Sequence, residues 1–184
     1  METALKKEFI ETAANGGAVF IPQDPDSGLF LTRRLPLDAT LEPNSPFREI
    51  HAIWNSRRTD DGPPRWEDFD FTDFRGWHSR LKVSVFPDDQ PDPEFRIMGE
   101  NWRDIAMQNL AGMRFSKMLP KQFEYQFRDH FREIRDKALI GHAFGPVAAI
   151  EFGLRKTEVL ELPVSRNGEK VGGLLHCLHI DAAP

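Results

Sequence analysis

The stretch that decides the fold is TEVLELPVSRNGEKVGGLLHCLHI, residues Thr157 to Ile180. Its first half alternates with a period of two, placing Leu160 on one side and Glu161 on the other, which is the pattern of a β-strand. Asn167-Gly168 follows and is the strongest short-range hairpin signal, because both residues tolerate positive φ. The second half, residues 171–180, then returns as an antiparallel partner. This hairpin indicates an antiparallel sheet rather than the parallel sheet of a nucleotide-binding domain.

Working outward, the apolar pattern predicts the elements that precede the hairpin. Alternation predicts strands over 81–85, 95–98 and 143–150, and another strand that begins near residue 151 and runs into the hairpin. A narrow apolar stripe predicts a long helix over 121–138, preceded by short helical pieces between 100 and 119. From Leu81 the order is strand, strand, short helices, long helix and three strands. This order is typical of an α+β fold with helices on one face of an antiparallel sheet.

The chain before this region divides near residue 44. Residues 1–44 are predicted to form an N-terminal extension, with a helix near residues 5–13 and then an irregular arm that is rich in proline. The arm has at most a short strand near Leu29-Phe30-Leu31. Ser45-Pro46 is a typical helix start, so a leading helix is expected over about 46–58. Residues 45–184 are therefore predicted to be the main domain.

Composition excludes several classes of protein. The 184 residues carry 24 Lys and Arg against 29 Asp and Glu, a net charge of -5, which disfavours binding to nucleic acid. A single cysteine, Cys177, is compatible with a reducing compartment. No apolar run approaches the roughly 20 residues that span a bilayer, and no secretory signal is present. We therefore expect a cytoplasmic protein without a membrane segment.

Five short motifs carry a resemblance to a known family. They are EIHAIWNSRR (49–58), PPRWEDFDF (63–71), FRIMGENW (95–102), NLAGMRF (109–115) and ELPVSRNGEKVGGLL (161–175). In this order they resemble a PAS domain and, more narrowly, a PAS-like family common in alphaproteobacteria. The resemblance covers residues 47–180. It implies a five-stranded antiparallel sheet in the order two-one-five-four-three, counted from Leu81, that bends over a pocket lined by helices.

The resemblance also implies where that pocket lies. Aromatic and aliphatic side chains of the middle region and the sheet are expected to line a mostly apolar small-molecule site. The expected lining residues are Ile97, Trp102, Ile105, Phe115, Phe127, His130, Phe144, Leu160 and Leu162.

No cofactor is indicated by the residues. His130 could be an axial haem ligand, but a lone histidine at the edge of an apolar stripe is more often a boundary residue. Covalent flavin is disfavoured, because Cys177 lies on the last strand and not on a helix. His176 and His179 point to opposite faces of one strand, so they cannot bind one metal ion together. The cofactor is therefore left open, with haem and covalent flavin both disfavoured and no metal site predicted.

The leading helix offers an apolar face that needs a partner. Its members, Phe47, Ile50, Ile53 and Trp54, are expected to cover the outer sheet face of their own chain or to contact a second copy, and a homodimer is favoured.

The function that follows is a stand-alone PAS-like sensory or regulatory module of signal transduction, binding a small molecule, a partner protein or both. It is not expected to be an enzyme. One alternative is a small cone-shaped α+β enzyme of the isomerase or hydratase type, although no convincing carboxylate–histidine pair is evident in the sequence. Another alternative is a structural protein-interaction domain with a filled interior.

Overall fold

A six-stranded antiparallel sheet forms the centre of the protein. The computed structural model describes residues 31–58, 62–106, 109–118, 121–149, 153–166 and 170–180. The strands are β1 (Leu31–Leu35), β2 (Leu81–Val85), β3 (Glu94–Met98), β4 (Ile140–Ala149), β5 (Gly153–Ser165) and β6 (Val171–Ile180). Among the described residues the α-helices are α1 (Arg48–Ser56), α2 (Glu100–Ala106) and α3 (Lys121–Lys137). The fold is therefore α+β, as the sequence predicts.

The order of the strands in the sheet is β1-β4-β5-β6-β2-β3. The C-terminal hairpin is present, since β5 and β6 pair antiparallel from Thr157 opposite Ile180 to Ser165 opposite Val171. Its predicted turn residues, 167–169, lie outside the described residues. From β2 to β6 the strands follow the predicted two-one-five-four-three order, with the hairpin in mid-sheet.

The prediction of five strands is wrong by one strand. β1 pairs antiparallel with β4 at the edge of the sheet, with Leu31 opposite Phe144 and Leu35 opposite Ile140. It lies within the predicted extension 1–44, where prolines on both sides obscure the short apolar alternation. Residues 36–44 of the extension contain turns and neither helix nor strand. The helix expected near residues 5–13 and the remainder of 1–30 lie outside the described part of the chain.

Helices cover both faces of the sheet. The helices that follow Leu81 lie on one face, as predicted, and the leading helix covers the other face, which the sequence left open as one alternative. We call the face under α1 the outer face and the face under α2 and α3 the inner face. On the outer face, Trp54 is fully buried and its indole N–H donates to the carbonyl of Pro163 at 2.8 Å. The strands β5 and β6 are apolar on both sides, because Leu162 and Leu175 join the outer core whereas Val159 and Leu174 join the inner core. A sheet that is apolar on both sides needs cover on both.

The apolar face of the leading helix packs against its own sheet. Phe47, Ile50 and Trp54 are each at most 1% exposed, and Ile53 packs partly buried beside them. This is the first of the two alternatives that the sequence left open, and these buried side chains cannot also contact a second copy. A homodimer stays a prediction, but this face of α1 is not its contact.

The long helix ends where the backbone leaves the helical region. Ala138 has a φ of 50°, and Leu139 donates back to the carbonyl of Ile134 at 3.1 Å, which closes the last turn. The chain then enters β4, which places α3 directly over the inner face. Within the described ranges, no helix combines the length and apolar character that crossing a membrane requires.

Candidate functional site

The inner face carries a group of polar side chains within the core. They are Lys82 and Ser84 on β2, Glu161 on β5, His176 on β6 and His130 on α3, and each is at most 4% exposed. We call them the inner-face polar cluster. Glu161 is the cross-strand partner of His176, and His176 is also the partner of Lys82. Three neighbouring strands and one helix thus bring together residues that are far apart in the sequence.

The cluster is connected through the carboxylate of Glu161. Its Oε2 lies 2.5 Å from Nε2 of His130, and its Oε1 lies 3.4 Å from Nδ1 of His176. The other ring nitrogen of His176, Nε2, shares a hydrogen bond of 2.7 Å with the hydroxyl of Ser84. Nδ1 of His130 is buried and has no hydrogen-bond partner among the described residues. The cluster therefore links α3 to the middle of the sheet through one anion.

Burial shifts the pKa values of these groups. Burial alone would raise the pKa of Glu161, but the charges and hydrogen bonds of His130 and His176 outweigh it and hold that pKa below its usual range. Burial lowers the pKa of Lys82 to about 7, against the attraction of Glu161. Burial and the charge of Lys82 together lower the pKa of His176 to about 4. Near neutral pH, Glu161 is thus ionised, His176 is neutral and Lys82 titrates.

Gly141 makes room for the buried carboxylate. It is the β4 partner of Glu161, and a Cβ atom at this position would collide with Oε2 of Glu161 and with the side chain of Ile134. Any other residue would displace the carboxylate of Glu161 and the end of the Ile134 side chain.

Aromatic rings enclose the cationic side of the cluster. The ammonium nitrogen of Lys82 lies 3.9 Å from the ring centroid of Trp102 and 4.3 Å from that of Phe95. The rings of Phe95, Trp102 and Phe131 each approach His176 nearly edge-on, with centroids 6.4 Å apart. Such cation–π contacts replace part of the lost hydration of a buried amine.

A cavity of about 170 Å³ lies beside this aromatic enclosure. Its floor is apolar and its rim is polar, and it is lined by Gln90, Pro91, Asp92, Arg114, Phe115, Ser116, Glu124, Phe127, Arg128 and Phe131. Asp92 fixes part of the rim by accepting hydrogen bonds from the backbone N–H and the hydroxyl of Ser116 at 2.9 and 2.7 Å. Phe131 belongs both to the cavity floor and to the rings around His176. One layer of aromatic rings therefore separates the cavity from the polar cluster.

Some of the residues predicted to line a pocket lie at or beside this cavity. Phe115 and Phe127 line it. Trp102 and Ile105 belong to the same inner core, and the indole N–H of Trp102 donates to the carbonyl of Arg80 at 2.8 Å. His130 is fully buried in the polar cluster, so it is not the boundary residue that the sequence favoured.

The remaining predicted lining residues lie elsewhere. Leu160 and Leu162 are fully buried under α1 on the outer face. Phe144 is also on the outer face, in contact with His142 and beneath the guanidinium of Arg33. Ile97 lies on the edge strand β3 and is 54% exposed. The physical reason is that successive side chains of a strand point to opposite faces of the sheet. On β5 the side chains that face α3 are those of Val159 and Glu161, so Leu160 and Leu162 face the other way.

Sequence reasoning missed most of the polar cluster and found no convincing carboxylate–histidine pair, although Glu161 and His130 form one in the structure. Glu161 and His130 are 31 positions apart, and Ser84 and His176 are 92 positions apart, so no short motif contains them. A usable signal was nevertheless present. Each strand of the cluster carries one or two polar residues at inward positions of an otherwise apolar run, as in LKVSV, VLELPV and GLLHCL.

The expectation that His176 and His179 point to opposite faces is confirmed. His176 belongs to the inner cluster, whereas His179 contacts the ring of Phe47 on the outer face. In the part of the chain that the structure describes, no group of three or more His, Cys, Asp or Glu side chains is arranged to hold a metal ion. Comparison with protein-family models, curated proteins and solved structures finds no match to this chain.

Proposed function

We propose that this protein is a PAS-like sensory or regulatory module that binds a small molecule in the inner-face cavity and passes the signal to a partner protein. The observation that supports this most is the strand order β3-β2-β6-β5-β4 with α2 and α3 over the inner face. It is the order expected for the PAS-like family that the sequence motifs resemble. The edge strand β1 is an addition to that plan.

The cavity favours a compact ligand that is partly aromatic. An enclosed apolar cavity of about 150 Å³ accepts one molecule of the size of benzene. The cavity here measures about 170 Å³ but is partly open, and six of its ten lining residues are polar, so it suits a small ring that carries a polar group. Phe115, Phe127 and Phe131 offer ring faces and edges, while the guanidinium groups of Arg114 and Arg128 at the rim offer hydrogen-bond donors. An apolar body with a few polar anchors is the usual composition of a small-molecule site.

The cavity floor gives a route for the signal into the sheet. A ligand that displaces Phe131 also changes the contact of this ring with His176, and His176 lies against the carboxylate that holds His130 on α3. Ligand binding would then change how tightly α3 is joined to β5 and β6. A partner protein that contacts α3 would detect this change.

Mass spectrometry of the gently purified protein under native conditions tests the ligand. The expected result is a co-purified small molecule, or a mass increase when benzyl alcohol is added as a cavity probe. Two variants should abolish the bound mass: Phe127→Trp, which fills the cavity from inside, and Gln90→Trp, which covers its exposed rim. Phe71→Ala, at a residue 75% exposed and not among the cavity-lining residues, is the matched control.

Two results would count against this proposal. A wild-type protein that is always empty and that binds no small aromatic probe favours the structural interaction domain instead. Equal binding by the wild type, Phe127→Trp and Gln90→Trp would show that the probe binds at another place.

One observation favours the enzyme alternative as a second candidate. Ser84, His176 and Glu161 are connected in the order of a nucleophile, a base and an orienting acid. The element order argues against the cone-shaped fold, because β2 and β3 precede the helices α2 and α3 here, whereas in that fold the helices precede the sheet. Time-dependent labelling of Ser84 by a fluorophosphonate, absent in Ser84→Ala, would support a hydrolytic role, and an unlabelled Ser84 would exclude a reactive serine.

A further inference from the structure

Lys82 lies directly behind the floor of the cavity. Its ammonium nitrogen is 6.0 Å from the ring centroid of Phe115, which also lines the cavity. Trp102 and Phe95 enclose the nitrogen on other sides, and Lys82 is only 2% exposed. The amine is thus one ring away from a ligand in the cavity and is shielded from bulk water.

We propose that Lys82 is a carbonyl-reactive lysine that forms an imine with a small aromatic aldehyde or ketone held in the cavity. The inference rests on the proposed function, because it needs the cavity to be the ligand site. It assigns a chemical class to the ligand and a covalent step to a buried amine of the inner-face polar cluster. The ring of Phe115 must turn aside for the carbonyl carbon to reach the nitrogen.

The reaction balances without an oxidant or a reductant. The lone pair of the Lys82 nitrogen attacks the carbonyl carbon, and the carbonyl oxygen takes up a proton to give a carbinolamine. The carbinolamine then loses its hydroxyl group as water, and the C=N bond forms. Ser84 lies on the same face of β2 and is hydrogen-bonded to His176, so this pair can move the proton between nitrogen and oxygen. Glu161 offsets the positive charge of the protonated imine.

The environment of Lys82 keeps part of it in the reactive form. The ionisable groups that face it are Glu161 on β5, His176 on β6 and His130 on α3. With burial lowering its pKa to about 7, roughly half of Lys82 is neutral amine at that pH. For an ordinary exposed lysine the neutral fraction is on the order of one in a thousand. Only the neutral amine is a nucleophile towards carbonyl groups.

Reductive trapping tests the inference on the intact protein. Benzaldehyde and cyanoborohydride are added at pH 7, and the modified lysines are identified by peptide mass mapping. Lys82 should be labelled at least about ten times faster than Lys137, because the neutral fraction of an exposed lysine is so much smaller. Lys137 is a reference within the same molecule, since its side chain is 63% exposed. The rate at Lys82 should level off above a midpoint near pH 7, which an ordinary exposed lysine does not do.

Variants make the result decisive. Phe115→Ala should speed labelling of Lys82 without changing that of Lys137, and Lys82→Met should remove the fast-labelled site. The inference is overturned if Lys82 stays unlabelled in both the wild type and Phe115→Ala while Lys137 is labelled. It is equally overturned if the labelling of Lys82 has the pH profile of an exposed lysine.

A probe without a carbonyl group separates this inference from the proposed function. If benzyl alcohol binds and Gln90→Trp abolishes its binding while Lys82 does not react, the covalent step is wrong and the cavity remains the ligand site. If benzyl alcohol does not bind and Lys82 does not react, both proposals fail.

Discussion

Replacing Lys82 by methionine should stabilise the protein at pH 7, and the gain should depend on pH. A pKa lowered from 10.5 to about 7 means that burial disfavours the charged form, by about 5 kcal/mol at about 1.4 kcal/mol per pH unit. This penalty is already net of the attraction of Glu161, which acts in the opposite direction. Removing one partner of a buried pair has a cost of its own, because it leaves the other charge uncompensated. Because Glu161 loses a cationic neighbour in the variant, we expect about 2 kcal/mol at pH 7.

The pH dependence follows from the two pKa values of Lys82. Between its folded pKa of about 7 and its ordinary value of 10.5, the unfolded chain binds more protons than the folded protein. The stability of the wild type therefore rises with pH across this window, as the penalty for burying the charge disappears. Between pH 7 and 10 the wild type gains about 3.5 kcal/mol from this effect. The advantage of Lys82→Met should therefore be present at pH 7, disappear near pH 8.5 and be reversed at pH 10.

Urea denaturation of the wild type and Lys82→Met at pH 7, 8.5 and 10, monitored by circular dichroism, measures the difference in the free energy of unfolding. Lys137→Met serves as the control, because it removes an exposed lysine and should change the free energy of unfolding by less than about 0.5 kcal/mol at any of these values. A Lys82→Met protein that is less stable than the wild type at pH 7, or a gain that does not vary with pH, would refute the reasoning.

Four further predictions concern the polar cluster and its supports. Glu161→Gln should lower the free energy of unfolding by about 3–5 kcal/mol in urea, because charged Lys82 loses its buried counterion and His130 and His176 lose a charged acceptor. A change below about 1 kcal/mol would contradict the central role of Glu161. Gly141→Ala should cost about 1–3 kcal/mol in thermal unfolding, since its Cβ meets Glu161 and Ile134. Trp54→Phe should lower the free energy of unfolding by about 1–3 kcal/mol, because the buried carbonyl of Pro163 loses the indole N–H that donates to it. An unchanged free energy of unfolding would show that a water molecule replaces this donor. Urea midpoints should fall as the pH is lowered from 6.5 to 4, because the unfolded chain protonates His176 before the folded protein does.

The sequence predicted the parts of the fold that depend on local pattern. The C-terminal hairpin follows from strict alternation around Asn167-Gly168, and the long helix follows from its apolar stripe. The predicted strand order came from the family resemblance that the five motifs carry, and not from the periodicity of apolar residues. Local pattern and motif order therefore accounted for the sheet from β2 to β6 and for the helix α3 that covers it.

The errors about the pocket-lining residues share a physical cause. Alternation shows which side chains lie on the same face of a strand, but not which of the two faces is covered by α3. Both sides of β5 and β6 are apolar, so Leu160 and Leu162 looked as suitable for a pocket as Val159 does. The polar cluster depends on contacts between residues that are distant along the chain, and Ser84 meets His176 only when β2 pairs with β6. A single sequence carries no direct record of such pairings.

The place of β6 between β5 and β2 has a consequence for synthesis on the ribosome. The hydrogen-bonding edge of β2 that β6 occupies has no native neighbour until residues 171–180 emerge from the exit tunnel. During that interval the nascent chain exposes an unpaired apolar strand, a state that favours aggregation. We therefore expect yields in cells to respond strongly to translation speed and to chaperone supply, even for variants whose purified form is highly stable.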